Sequence, residues 1–145
     1  MVILKPLMLE LNKQKFNHLK IHSQYSICQG AVKIEKLKDF CKERKINAVG
    51  LSDTSNLCGS LEFSENISKV GTQPIIGTQI NFKFEDTIGL IPLIALNEDG
   101  YKRIIELSSR SYLENDALSE PHCDISELYK NGKGVLILSG SIQGF

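Results

Sequence analysis

Three histidines, a few buried-looking acids and scattered serines are the residues of this 145-residue chain that could do chemistry. His18 and His22 are four apart in a segment that reads as a strand. On a strand, four steps of roughly 3.3 Å separate them by about 13 Å. Two nitrogens on one zinc ion can be at most about 4 Å apart, so the pair cannot chelate there. Ser52, Ser55 and Ser60 lack the G-x-S-x-G elbow of a serine nucleophile. Residues 132–134, Gly-Lys-Gly, are too short for a phosphate loop and read as a turn before the last strand. His122 and Cys123 follow Pro121 in a polar loop and read as surface residues. Cys28, Cys41, Cys58 and Cys123 form no C-x-x-C pair and match no zinc spacing.

The elements that must position these residues alternate. Residues 16–23 read as a first strand. Residues 31–45 read as an amphipathic helix with Ile34, Leu37, Phe40 and Cys41 on one face. Residues 48–51 make a short buried strand, and residues 57–70 a second helix carrying Leu57, Leu61 and Ile67, stopped by Gly71. Residues 74–84 are a strand with Ile80, Phe82 and Phe84 in alternation. Residues 90–96 are another, with Pro92 placed at its beginning because proline cannot donate to a ladder. Residues 99–113 read as a helix with Tyr101, Ile104, Ile105 and Ser108 on one face. Asp124 to Glu127 reads as a capped helix start, and residues 135–138 as the last strand. The order β-α-β-α-β-β-α-α-β predicts an α/β protein with mostly parallel strands.

Lysine plus arginine and aspartate plus glutamate number 17 each. A neutral balance argues against a strong nucleic-acid surface, which needs concentrated positive charge. The basic run Lys33, Lys36, Lys38, Lys42, Arg44 and Lys45 is interrupted by Glu35, Asp39 and Glu43 and reads as a solvated helix face. Residues 1–10 are apolar but too short for a signal core or a membrane span. A cytoplasmic protein with free thiols is expected.

Specific stretches carry a family resemblance. They are His18-Leu-Lys-Ile-His22-Ser-Gln-Tyr-Ser26, Gly30-Ala31, Leu51-Ser-Asp-Thr-Ser-Asn-Leu-Cys-Gly59, Gln73-Pro-Ile-Ile-Gly77, Gly100-Tyr101, Leu107-Ser-Ser-Arg-Ser-Tyr112 and Gly134-Val-Leu-Ile-Leu-Ser-Gly140. In order and spacing they resemble the polymerase-and-histidinol-phosphatase (PHP) domain. The form resembled most closely stands at the N-terminus of bacterial DNA polymerase III alpha subunits. The resemblance covers residues 16–145, with residues 1–15 as an extension.

It implies a TIM-like (β/α)7 PHP barrel, of which this chain would supply only the first part. About five strands ending at Gly144-Phe145 fall short of a closed barrel, which typically needs about 250 residues. An open edge after residues 135–138 is then expected to make the isolated chain marginal and prone to associate. The resemblance also implies DNA replication through the parent polymerase. The expected partners are the rest of the alpha chain and the proofreading exonuclease subunit, with DNA reached only through the holoenzyme. Polymerase chemistry would lie in later domains.

Active members of the resembled family place two histidines two apart on the first strand, on one face. Here those positions hold Lys20 and His22. The acidic ligand after that strand falls at Gln29, and the Thr-Asp-His motif appears as Ser52-Asp53-Thr54. A glutamate falls at Gln79 and a later histidine near Leu90. Lysine, glutamine, threonine and leucine are poor ligands for a hydrolytic metal site. The implied reading is a vestigial site of Lys20, His22, Gln29, Asp53, Thr54 and Gln79, with no catalytic residue and no metal; only His22 and Asp53 could hold one. Lys20 is expected to fill the lost metal's space and pair with Asp53. The alternative is an active PHP phosphoesterase or pyrophosphatase using zinc, manganese or iron.

Overall fold

The computed structural model describes residues 16–130 and 133–139. The expected extension 1–15, Gly132 and the segment 140–145 lie outside the described residues. The elements are α1 (Ile34–Arg44), β1 (Ala48–Thr54), α2 (Ser60–Ser68), β2 (Gln73–Phe84), β3 (Thr87–Ala95) and α3 (Glu98–Leu113). After them come β4 (Cys123–Asp124), a one-turn 3-10 helix (Ile125–Leu128) and β5 (Val135–Ile137). The fold class is α/β, with a five-stranded sheet among the described residues.

The sheet is mixed, which corrects the expectation of mostly parallel strands. Its order is β1-β2-β3-β5, with β4 beside β2. β1 and β4 run parallel to β2, whereas β3 is antiparallel to both β2 and β5. The cause is local. Glu85 takes a left-handed φ of 53° in a tight turn, so β2 folds straight back into β3 instead of crossing over through a helix.

Pro92 lies inside β3, not at its start, and is buried. Its carbonyl accepts from Leu138 N–H at 3.0 Å. Its peptide edge therefore faces the β5 side, and opposite Gln79 no ladder bond to β2 needs the missing N–H.

The first strand shrinks to two isolated bridges, Ile21 to Leu51 and Ser23 to Val32. Residues 18–21 still lie parallel to β1, through Gly50 N–H to His18 O at 2.7 Å and Ser52 N–H to Ile21 O at 2.8 Å. The first helix starts at Ile34, three residues after Ala31. The turn before it is closed by Gly30 N–H to Ser26 O at 2.8 Å.

One apolar cluster joins α1 and α2 to β1: Ile34, Leu37, Cys41, Leu51, Phe63 and Ile67 are buried together. A second joins α3 to the hairpin through Ile80, Phe82, Leu93, Ile104 and Leu107. Phe40, Leu61, Phe84 and Ile105 are exposed, contrary to their expected faces. In α2 the buried stripe is phased by Phe63 and Ile67, four apart, which turns Leu61 outward. In α3 it runs through Gly100, Arg103, Ile104, Leu107 and Ser111. Cys123 is also buried, its thiol donating to Leu107 O at 3.3 Å, so it is a core residue.

Two sequence landmarks meet at the start of α3. Asn97 caps it by accepting from Gly100 N–H at 2.9 Å. A Cβ on Gly100 would stand 1.8 Å from Gly134 O. Gly134 itself has φ +86° and its carbonyl accepts from Leu96 N–H at 2.8 Å. Both positions need glycine because the helix start and the turn before β5 touch there. Asp124 caps the 3-10 turn by accepting from Ser126 N–H at 2.9 Å, so the expected capped helix is a single turn.

Candidate functional site: a hydrogen-bond network around a buried acid

Parallel pairing of β1 and β2 sets Thr54 beside Gln79. The chain before α1 runs alongside β1 and delivers His22, Ser23, Ser26 and Gln29 to the same end of the sheet. His22, Gln29, Asp53, Thr54 and Gln79 thus come together in one network, with Lys20 at its exposed rim.

Asp53 is 1% exposed, and its carboxylate is occupied. Oδ1 accepts from Ser23 N–H at 2.6 Å and from Ser26 Oγ at 2.7 Å, while Oδ2 accepts from Ser23 Oγ at 2.7 Å. The expected Lys20–Asp53 pair does not form. Two serine hydroxyls and a backbone amide satisfy the buried charge, and Lys20 stays in solvent. Sequence reasoning missed Ser23 and Ser26. Their three-residue spacing in a turn, closed by Ser26 N–H to Ser23 O at 3.0 Å, was the available signal.

Ser26 stands between the acid and the imidazole. Its hydroxyl hydrogen goes to Asp53, and its oxygen also accepts from Thr54 N–H at 3.1 Å. His22 Nδ1, 3.4 Å from that oxygen, is therefore the protonated nitrogen. Nε2 is left to accept from the Gln79 amide at 3.2 Å. Burial and then the Lys20 charge lower the pKa of His22, with Asp53 opposing them; the imidazole is neutral at neutral pH. The Gln79 amide also donates to Thr54 Oγ1 at 3.3 Å, and Thr54 Oγ1 donates to Gln29 Oε1 at 2.6 Å. Gln79 Oε1 is buried without a partner among the described residues.

These residues do not fit a metal. Asp53 has no oxygen free of a short hydrogen bond. His22 turns one nitrogen to a hydroxyl and the other to an amide. Gln29, Thr54 and Gln79 are neutral. Among the described residues no group of three or more His, Cys, Asp or Glu side chains is placed to hold a metal ion.

Leu90, at the later histidine position, pairs with Asn81, and both line a cavity of about 360 Å³ next to Thr54 and Gln29. Asn81 was also missed. It is 9% exposed and donates to Glu120 Oε1 at 2.9 Å and Pro121 O at 3.3 Å, which pins the loop after α3 over the cavity. His122 sits in that loop with Nδ1 2.7 Å from Glu120 O.

The PHP-domain family model matches residues 18–145, which include every residue that builds this network. The chain belongs to the PHP domain family. The DNA polymerase III subunit alpha of Caulobacter vibrioides is 35% identical over 144 residues, covering 90% of this chain and 12% of that protein. The Rickettsia felis subunit is 38% identical over 127 residues, 87% of this chain and 10% of its own length. The chain thus spans about a tenth to an eighth of the curated relatives it matches. Two solved structures share the fold. A candidate metal-dependent phosphoesterase from Bifidobacterium adolescentis superposes with a TM-score of 0.52 at 17% identity, over 66% of this chain and 32% of that one. An amidohydrolase from Chromobacterium violaceum, with bound sulfate and no metal, gives 0.53 at 16%, with the same coverage.

Proposed function

We propose that this chain is an N-terminal PHP segment of a replicative DNA polymerase III alpha subunit whose metal site has been replaced by a hydrogen-bond network around one buried carboxylate. Its sheet belongs to a TIM-like (β/α)7 barrel, and its role is structural. It packs against the rest of the alpha chain and helps carry the proofreading exonuclease subunit in the cytoplasm. DNA is reached through the holoenzyme. No helix among the described residues is long and apolar enough to cross a membrane.

One observation carries the reading: the Asp53 carboxylate is held by Ser23 and Ser26 instead of facing a cation site. An acid so engaged would lose three hydrogen bonds on turning to a metal, and among the described residues its neighbours supply no second anion. The active phosphoesterase or pyrophosphatase reading needs both.

The test combines binding and activity. The chain is mixed with the downstream alpha-subunit sequence and, separately, with the exonuclease subunit of the same genome, and co-elution is measured. Hydrolysis of pyrophosphate and of a phosphomonoester is measured with zinc, manganese and iron added. Co-elution without hydrolysis supports the proposal. Metal-stimulated hydrolysis that is lost on Asp53→Ala contradicts it.

A further inference from the structure

We propose that the cavity beside the network binds a neutral ligand bearing a nucleobase, of the class of a free nucleoside. The proposal extends the metal-free reading of the same site by asking what its replaced residues can recognise.

The cavity holds about 360 Å³, within the range of small-molecule sites. Among the described residues its lining includes no lysine, arginine or histidine, and the one ionic group there is the Glu120 carboxylate. Phosphate and other anions need clustered cations and find none here. A neutral ligand suits the lining.

The polar groups are arranged as an edge. Asn81 is fixed by its amide nitrogen to Glu120 and Pro121, so its oxygen, without a partner among the described residues, is a held acceptor. Gln29 accepts through Oε1 from Thr54, which leaves its NH₂ group to donate. A held acceptor on Asn81 and a donor on Gln29 in one cavity suit the acceptors and donors that a base edge carries. Leu90 and Tyr112 supply apolar and aromatic surface to the same cavity. Flat bases stack on such surfaces while side chains read their edges.

Isothermal titration of the purified chain tests this, with adenosine and cytidine as ligands and AMP, ribose and inorganic phosphate as comparisons. The expected result is saturable binding of at least one nucleoside. AMP should bind at least threefold more weakly because Glu120 opposes its charge, and ribose and phosphate should not bind. Gln29→Leu and Tyr112→Ala change exposed side chains and should each weaken nucleoside binding at least fivefold without lowering the melting temperature. The proposal is overturned if neither nucleoside binds saturably, if AMP or phosphate binds more tightly than the nucleosides, or if both variants bind them as wild type does. Metal content is measured separately, so failure here leaves the metal-free reading to stand or fall on its own.

Discussion

Replacing Asp53 with alanine should be among the most damaging single changes at the site, and the size of the effect can be worked from its contacts. Three donors lose their acceptor: Ser23 N–H, Ser23 Oγ and Ser26 Oγ, at 2.6, 2.7 and 2.7 Å. The backbone N–H cannot turn elsewhere, and stranding it costs about 1–3 kcal/mol. The hydroxyls can rotate and cost about 1 kcal/mol each. The sum is about 3–5 kcal/mol. For a chain of 145 residues, roughly 3–5 °C of melting temperature per kcal/mol gives a fall of about 9–25 °C. Lys20→Met touches an exposed side chain and should cost less than about 0.5 kcal/mol. Asp53→Asn keeps one acceptor and should fall between. Thermal melts of the three variants by circular dichroism at pH 7 check the order. A fall of under 3 °C for Asp53→Ala would refute the stabilising role of the Ser23 and Ser26 contacts, and a comparably large fall for Lys20→Met would restore the Lys20–Asp53 pair as the controlling contact.

Other outcomes follow from the same contacts. Lys20→Met should raise the pKa of His22, because the lysine charge lowers it; an NMR titration of the His22 ring reads the change, and an unchanged or lower value counts against the placement of Lys20. Glu127 is buried and binds Lys130 and Arg110 as well as Arg103, and these contacts hold its carboxyl down at about 2. Its stabilisation is therefore complete above the unfolded value near 4.5 and fades as pH falls toward 2. Glu127→Gln should cost about 1–2 kcal/mol at pH 7, with the gap to wild type closing below pH 4.5; a gap that stays constant to pH 2 would remove the charge as its cause. Gly100→Ala should lower the melting temperature by several degrees, because the new methyl meets Gly134 O; an unchanged melt would mean the turn before β5 shifts freely.

Much of the architecture was legible because periodicity and punctuation agreed. The helix around Ile34, Leu37 and Cys41 and the strand carrying Ile80 and Phe82 stand where spacing placed them. The failures have physical causes. The segment 16–23 is extended, but it bonds to a neighbour at too few places to count as a strand. Pro92 looked like a strand boundary because a missing N–H matters only on the side that pairs, and sequence does not show which side that is. Leu61 looked buried until Phe63 set the phase of α2. At the site, the resemblance selected positions that do converge, yet it could not say which contacts those residues make. Lysine and aspartate suggested an ion pair. The fold instead gave the acid two serines from a turn whose closure depends on backbone bonds that no spacing rule reveals.

The proposed replacement of a metal site by hydrogen bonds is tested most directly by elemental analysis of the chain purified without chelator. We expect less than about one tenth of a zinc, manganese or iron ion per chain, with no gain after incubation with each metal and desalting. Two or three ions per chain, removed together by Asp53→Ala, would contradict the central claim.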